Sequence, residues 1–184
     1  MSEFRTERLV ARQWTEQPAD LRRLFDIYSR WEVARWLGAQ PKAMAEPGQA
    51  VDAVRRWRAR CRGPYGVWAI EVRDTGLIAG TVLLVPLRLS GDAGEDPDAV
   101  EVGWHLHPDS QGRGYATEAA RGALDRAFAA GVPAVYAVVR PGNEPSVAVT
   151  RRLGMEPLGR TDRWYDTELD AFKVQPAIKQ TNSA

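Results

Sequence analysis

The chain has 184 residues, 44% of them hydrophobic, which is ample for one domain with a substantial core and short for two. A formal charge of +1 excludes a whole-molecule field that would draw in nucleic acid or an anionic membrane, although a local patch stays open. The single cysteine, Cys61, excludes an intrachain disulfide and leaves too few thiols for a cysteine zinc site.

Cysteine usage fits a reducing compartment, and with no visible signal peptide or membrane span the expected location is cytoplasmic. In chain order, residues 8–14 predict a first strand, with Leu9 and Ala11 alternating against Arg8 and Arg12. Leu21, Leu24, Phe25, Tyr28 and Trp31 follow helical spacing after Pro18 and predict an amphipathic helix, broken near Trp36-Leu37-Gly38. A second helix is expected from Glu46 to Arg62 on the stripe Ala50, Val54, Trp57 and Cys61. Its other faces carry Arg55, Arg56, Arg58, Arg60 and Arg62, either a solvated face or a contact to an acidic substrate, RNA or a partner.

Residues 65–73 and 77–87 are rich in β-branched and aromatic residues and are joined by Asp74-Thr75-Gly76, a hairpin. The polar stretch 90–98 reads as a loop. From Val100 to Leu106 the chain alternates, with Val100, Val102, Trp104 and Leu106 on one face and Glu101, Gly103 and His105 on the other, and Pro108 ends that strand. A helix is expected from Ala116 to Ala130, stopped by Gly131 and Pro133. Then come a strand at 134–140, a helix opened by Pro145 and ended by Gly154, and strands near Glu156–Trp164 and Leu169–Val174. One domain over 1–176 and a loose tail over 177–184 complete the expectation. The element order argues a mixed α/β sheet flanked by helices.

The stretch Gln111-Gly112-Arg113-Gly114-Tyr115-Ala116 links strand to helix. Its glycines permit a tight bend and close approach, and the helix that follows presents unpaired N–H groups and the positive end of its dipole. That is an anion site suited to phosphate. It is neither a P-loop, which needs G-x-x-x-x-G-K followed by Ser or Thr, nor the dinucleotide fingerprint G-x-G-x-x-G.

The stretch resembles instead the signature Q/R-x-x-G-x-G/A of the GNAT superfamily of N-acetyltransferases, matched by Gln111, Gly114 and Ala116. A second match follows in NEPSVAVTRRLGM, residues 143–155. Together with EVGWHLHP and QGRGYATEA, these runs look like the branch of ribosomal-protein N-terminal (alanine/serine) acetyltransferases. The resemblance implies the GNAT fold, a central, largely antiparallel mixed sheet. The strands at 99–107 and 134–140 would lie parallel and splay apart, with acetyl-CoA as co-substrate in the opening.

It further implies that the backbone N–H groups of Gly112, Arg113, Gly114, Tyr115 and Ala116 hold the pyrophosphate, with Thr117 near the helix start. Backbone groups of Trp104 and Leu106 would meet the acetyl carbonyl and the pantetheine arm, Asn143 would contact that arm, and Arg152 would contact the nucleotide phosphates. The implied partners are acetyl-CoA and an amine acceptor, with no membrane and no specific nucleic acid, and a homodimer is left open.

The implied reaction is direct attack by a primary amine on the thioester in a ternary complex, and the amine must first lose a proton. Glu101, a carboxylate in an otherwise apolar strand, is the expected base, against the plainer reading of an outward-facing or hydrogen-bonded strand Glu; His105, on the same face, is its competitor. His105 and His107 lie two apart without further ligand spacing, so no metal is expected. Many GNAT enzymes place a tyrosine seven residues after the asparagine as proton donor, but here Thr150 stands there. Ser146 matches the serine of the N-terminal acetyltransferase branch and is the expected donor to the departing thiolate; its plainer reading is a cap of the helix after Pro145.

Trp36 and Trp164-Tyr165 fall where the family shapes its acceptor cleft, against the plainer reading of loop aromatics that simply pack. An acceptor α-amine of a protein or peptide is expected. A small-molecule amine or antibiotic acetyltransferase, or a non-catalytic acyl-CoA-binding regulatory module, are the alternatives.

Overall fold

The computed structural model describes residues 3–91 and 93–176. In chain order its elements are β1 (Phe4–Arg5), β2 (Leu9–Gln13), α1 (Pro18–Tyr28), α2 (Trp31–Ala34), α3 (Gly48–Arg60), β3 (Gly66–Val72), β4 (Ile78–Arg88) and β5 (Glu95–Leu106). After a 3-10 turn at Pro108–Ser110 come α4 (Tyr115–Ala129), β6 (Val135–Val139), α5 (Glu144–Arg152), β7 (Glu156–Thr161) and β8 (Leu169–Val174). All eight strands form one sheet in the order β1-β2-β3-β4-β5-β6-β8-β7. Every pair is antiparallel except β5 with β6. The mixed, largely antiparallel sheet with a central parallel pair is therefore present.

Helices cover both faces because alternation in the strands leaves an apolar side on each. On one face α4 buries Ala116, Ala119, Ala120, Ala123, Leu124 and Ala127 against Val82, Leu84, Val100 and Val102. The stripe is mostly alanine, which lets the helix backbone lie close to the sheet. On the other face α1 and α3 pack Leu24, Ile27, Ala50, Ala53 and Val54 with Trp14, Ala69 and Ile78. The β3–β4 hairpin turns at Gly76, whose φ of 69° is the left-handed backbone that glycine adopts without strain.

Several expectations need correction. Trp31 does not continue the apolar stripe of α1: that helix ends at Tyr28, and Trp31 opens α2 with 57% of its surface exposed. The polar stretch 90–98 is not all loop, because β5 already begins at Glu95, paired with Arg88. A polar strand end is stable here because Asp96 accepts from Trp164 Nε1 at 3.0 Å and pairs with Arg163 at 2.8 Å, partners supplied from far along the chain. Trp164 itself lies beyond the end of β7, is 4% exposed, and packs against Tyr136 rather than shaping a cleft. The two-residue β1 was not foreseen. The expected tail 177–184 lies outside the described residues.

Candidate active site

The parallel pair β5 and β6 is joined only at Val100 with Val135 and at Glu101 with Tyr136. Beyond that point β5 continues to Leu106 and β6 to Val139 without pairing to each other. On its other edge β5 stays paired to β4, and the His107 N–H donates to Ala79 O at 2.9 Å. By antiparallel alternation the backbone groups of the odd-numbered residues turn to β4, so those of Trp104 and Leu106 turn into the gap. A cleft of about 1870 Å³ opens there, lined by both strands, the 111–117 loop, the start of α5 and the end of α2.

At one end of the cleft Gly112 (φ 74°) and Gly114 (φ 81°) bend the chain into α4, with Gly114 as its N-cap residue. A Cβ on Gly112 would meet nothing within 4 Å, so its face is open to a ligand. The loop is held by Arg8, which also lines the cleft. Its Nη1 donates to Arg113 O at 3.1 Å, its Nε pairs with Glu118 at 2.7 Å, and its guanidinium lies 5.0 Å from the centre of the Tyr115 ring. Gln111 Nε2 reaches back to Leu106 O at 3.4 Å. Thr117 Oγ1 is buried on the cleft wall and has no hydrogen-bond partner among the described residues. Arg152 is exposed at the rim, beside Arg121, which donates to its carbonyl at 2.8 Å. Free N–H groups, an orphan hydroxyl and neighbouring guanidinium groups fit a phosphorylated ligand such as the pyrophosphate of acetyl-CoA.

Farther along, Glu101 accepts a hydrogen bond from the Tyr165 hydroxyl at 2.5 Å. Burial pushes the Glu101 carboxyl up to about 7, and the Tyr165 bond only partly opposes this. His105 stands on the same strand face, its Nδ1 2.9 Å from the hydroxyl of buried Tyr28, which in turn donates to Thr81 Oγ1 at 2.9 Å. Burial lowers His105 to about 4, which keeps the ring neutral at ordinary pH. His107 is also buried; it accepts from the Asp109 N–H at 3.2 Å and lies 3.1 Å from Asp26, on the same helix as Tyr28. Among the described residues no group of three or more His, Cys, Asp or Glu side chains is arranged to hold a metal ion.

At the start of α5 the cap is Asn143, whose Oδ1 accepts from the Ser146 N–H. Ser146 is partly exposed on the cleft wall. Thr150 is fully buried and spends its hydroxyl on Val147 O at 2.8 Å. The geometry thus sets Glu101, Ser146, Asn143 and the 111–117 loop around one cleft, together with Trp36. Tyr165, expected beside the acceptor cleft, bonds Glu101, which lines the cleft. Sequence reasoning missed Arg8, Tyr28 and Arg140. Arg140 Nη2 bridges the end of β6 to the carbonyls of Gly38 and Ala39, the latter at 2.7 Å. No local pattern marks these residues, since their partners lie from 53 to 110 positions away.

A family model described as an acetyltransferase (GNAT) domain matches residues 8–156. The uncharacterized protein YkkB of Bacillus subtilis is 32% identical over 111 residues, 59% of this chain and 62% of that protein. The chain thus matches less than two thirds of YkkB's length. Among solved structures, a GNAT-family acetyltransferase from Bacillus anthracis superposes with a TM-score of 0.75 at 17% identity, covering 95% of this chain and 98% of that one. RimL, a ribosomal alpha-N-protein acetyltransferase solved in complex with coenzyme A, superposes with a TM-score of 0.74 at 17% identity over 95% and 98% of the two chains. At such identities these two likenesses are of fold.

Proposed function

The chain belongs to the GNAT acetyltransferase family, whose members draw on acetyl-CoA, and on that premise we propose that this acetyl-CoA-dependent N-acetyltransferase acts on the α-amine of a protein or peptide N-terminus in the cytoplasm. The observation that carries the reading is Glu101 at the point where β5 and β6 part, with its carboxyl pushed up to about 7. An α-amine, with pKa roughly 8, is neutral in about one molecule in ten at pH 7, whereas a lysine amine is neutral in about one in 2,500. A base near 7 suits the first of these acceptors and is weak for the second. The RimL likeness in fold supports the same direction.

Acetyl-CoA supplies an acyl group activated as a thioester. The N–H groups of Gly112, Arg113, Gly114, Tyr115 and Ala116 hold its pyrophosphate at the start of α4, with Gln111 bracing the loop and Thr117 Oγ1 as a further donor. Arg152 offers a guanidinium to the nucleotide phosphates, while Trp104, Leu106 and Asn143 line the path of the pantetheine arm. Glu101 takes the proton from the acceptor amine, directly or through water. Ser146 hydrogen-bonds the departing sulfur, a modest task because a thiol of pKa roughly 8.5 already leaves readily.

Purified protein with acetyl-CoA, offered peptide N-termini in parallel with polyamines and aminoglycosides, tests the acceptor. Turnover should be highest on peptides blocked at lysine but free at the α-amine. Turnover on the small amines with none on peptides would reject the reading.

A further inference from the structure

Tyr165 stands in the connection between β7 and β8 with φ of 61°, and Asp166 follows at 52°. Left-handed backbone is uncommon for a tyrosine and persists where the surroundings over-determine it. Here they do, from the end of β4, the start of β5 and the turn between them. The Tyr165 N–H donates to Arg88 O at 3.1 Å, and the Ser90 N–H donates to Arg163 O at 2.9 Å. The Asp166 N–H donates to Ser90 Oγ at 2.9 Å, and the Gly91 N–H donates to Asp166 Oδ1 at 2.7 Å. Trp164, buried and bonded to Asp96, pins the adjacent position. These contacts converge on one outcome: the Tyr165 phenol reaches Glu101 Oε2. With Oε2 held, Oε1 is the oxygen left to face an incoming amine.

We propose that Tyr165 is a positioning residue for the catalytic base, and that the β4–β5 connection holds its turn in the left-handed form so that the phenol orients Glu101 and favours its carboxylate. The proposal rests on the reading of Glu101 as base. Burial drives Glu101 toward the neutral acid, and the phenol bond pulls the other way. The other titratable or charged groups around it are His105 on its own strand face, Tyr136 as its partner in β6, and Arg60 at the end of α3, which bears on the Tyr165 hydroxyl. Of these groups, Tyr165 is the one bonded to the carboxylate.

The test compares parent, Tyr165→Phe and Glu101→Gln by the pH profile of kcat/KM on an α-amine peptide, and parent with Tyr165→Phe by NMR titration of the Glu101 carboxyl carbon. Loss of the phenol proton should move both the acidic limb and the carboxyl titration to higher pH by about one unit. Turnover should then fall about 5-fold at pH 7 and about twofold or less at pH 9. An unmoved limb and titration, whether turnover is normal or lowered uniformly, overturns the positioning role while leaving the base in place. Normal turnover of Glu101→Gln overturns the base reading and this proposal with it.

Discussion

Asn143 Oδ1 accepts the backbone N–H of Ser146 at 3.4 Å, so the residue expected as a possible cap is itself the one being capped. The consequence is a division of labour within one helical turn. Asn143 serves the N-terminus of α5, and the Ser146 hydroxyl is left on the cleft wall.

From this, Ser146→Ala should lower kcat by roughly 10- to 10³-fold, the usual range for acid assistance, with little change in acetyl-CoA affinity or Tm. Asn143→Ala should instead cost about 1 kcal/mol of stability through loss of the cap. Steady-state kinetics beside thermal melts separate the two. A Ser146→Ala enzyme that is less stable but turns over normally would return Ser146 to a structural role.

Glu101→Gln should lower turnover by about 10²-fold or more with acetyl-CoA affinity preserved, and abolish the acidic limb near the Glu101 titration. The sign for stability runs opposite to that of most carboxylates. Because burial raises the folded-state value to about 7, the stabilising contribution is present below the unfolded value and is lost as pH rises through 7. Glu101→Gln should therefore melt higher than the parent at pH 8, and the gap should narrow as pH falls below 7 and close below the unfolded carboxyl value. A gap independent of pH would contradict the buried carboxyl.

Gly112→Asn should weaken acetyl-CoA binding about tenfold or more while leaving the fold intact, since asparagine tolerates left-handed backbone better than most residues. A bulky residue at Gly114 is a poorer probe. At φ 81° its Cβ would lie 3.3 Å from Arg8 Nη2, so Gly114→Val strains the loop as well as blocking the ligand. Calorimetric titration of acetyl-CoA into folded Gly112→Asn decides the point, and unchanged affinity would remove the loop from the binding site.

Asp20 is 5% exposed and receives Arg12 through both oxygens at 2.8 and 2.9 Å, along with the N–H and hydroxyl of Thr15. Asp20→Ala should destabilise the protein by about 2 kcal/mol, because it leaves the two Thr15 donors unpaired and removes the bidentate partner of a partly buried guanidinium, which keeps Glu71 at 2.6 Å. Burial works against the charged carboxylate, but the Arg12 and Thr15 bonds outweigh it and hold Asp20 below its usual value. Its contribution is thus present above the unfolded value and lost as pH falls through the lower folded one. Denaturant melts at pH 7 and pH 3 should show the variant's deficit shrinking at the lower pH.

The sequence alone determined what depends on neighbours along the chain. The 111–117 loop was legible because two glycines and a following helix are a local backbone requirement, and the φ values of Gly112 and Gly114 answer it. The alternation from Val100 to Leu106 correctly put Glu101 and His105 on one face, since strand periodicity needs no partner to be read. Tertiary structure alone decided the rest. Where β5 and β6 cease to pair depends on packing across the sheet. That Tyr165 bonds Glu101, 64 positions away, follows from contacts made by Arg88, Ser90 and Asp96, none of which carries a local signal for it. Ser146 and Thr150 share a helix and four-residue spacing, yet one lines the cleft and the other is sealed in the core. Helical spacing gives both residues the same side of α5, and only the surfaces packed against it distinguish the hydroxyl that a substrate can reach.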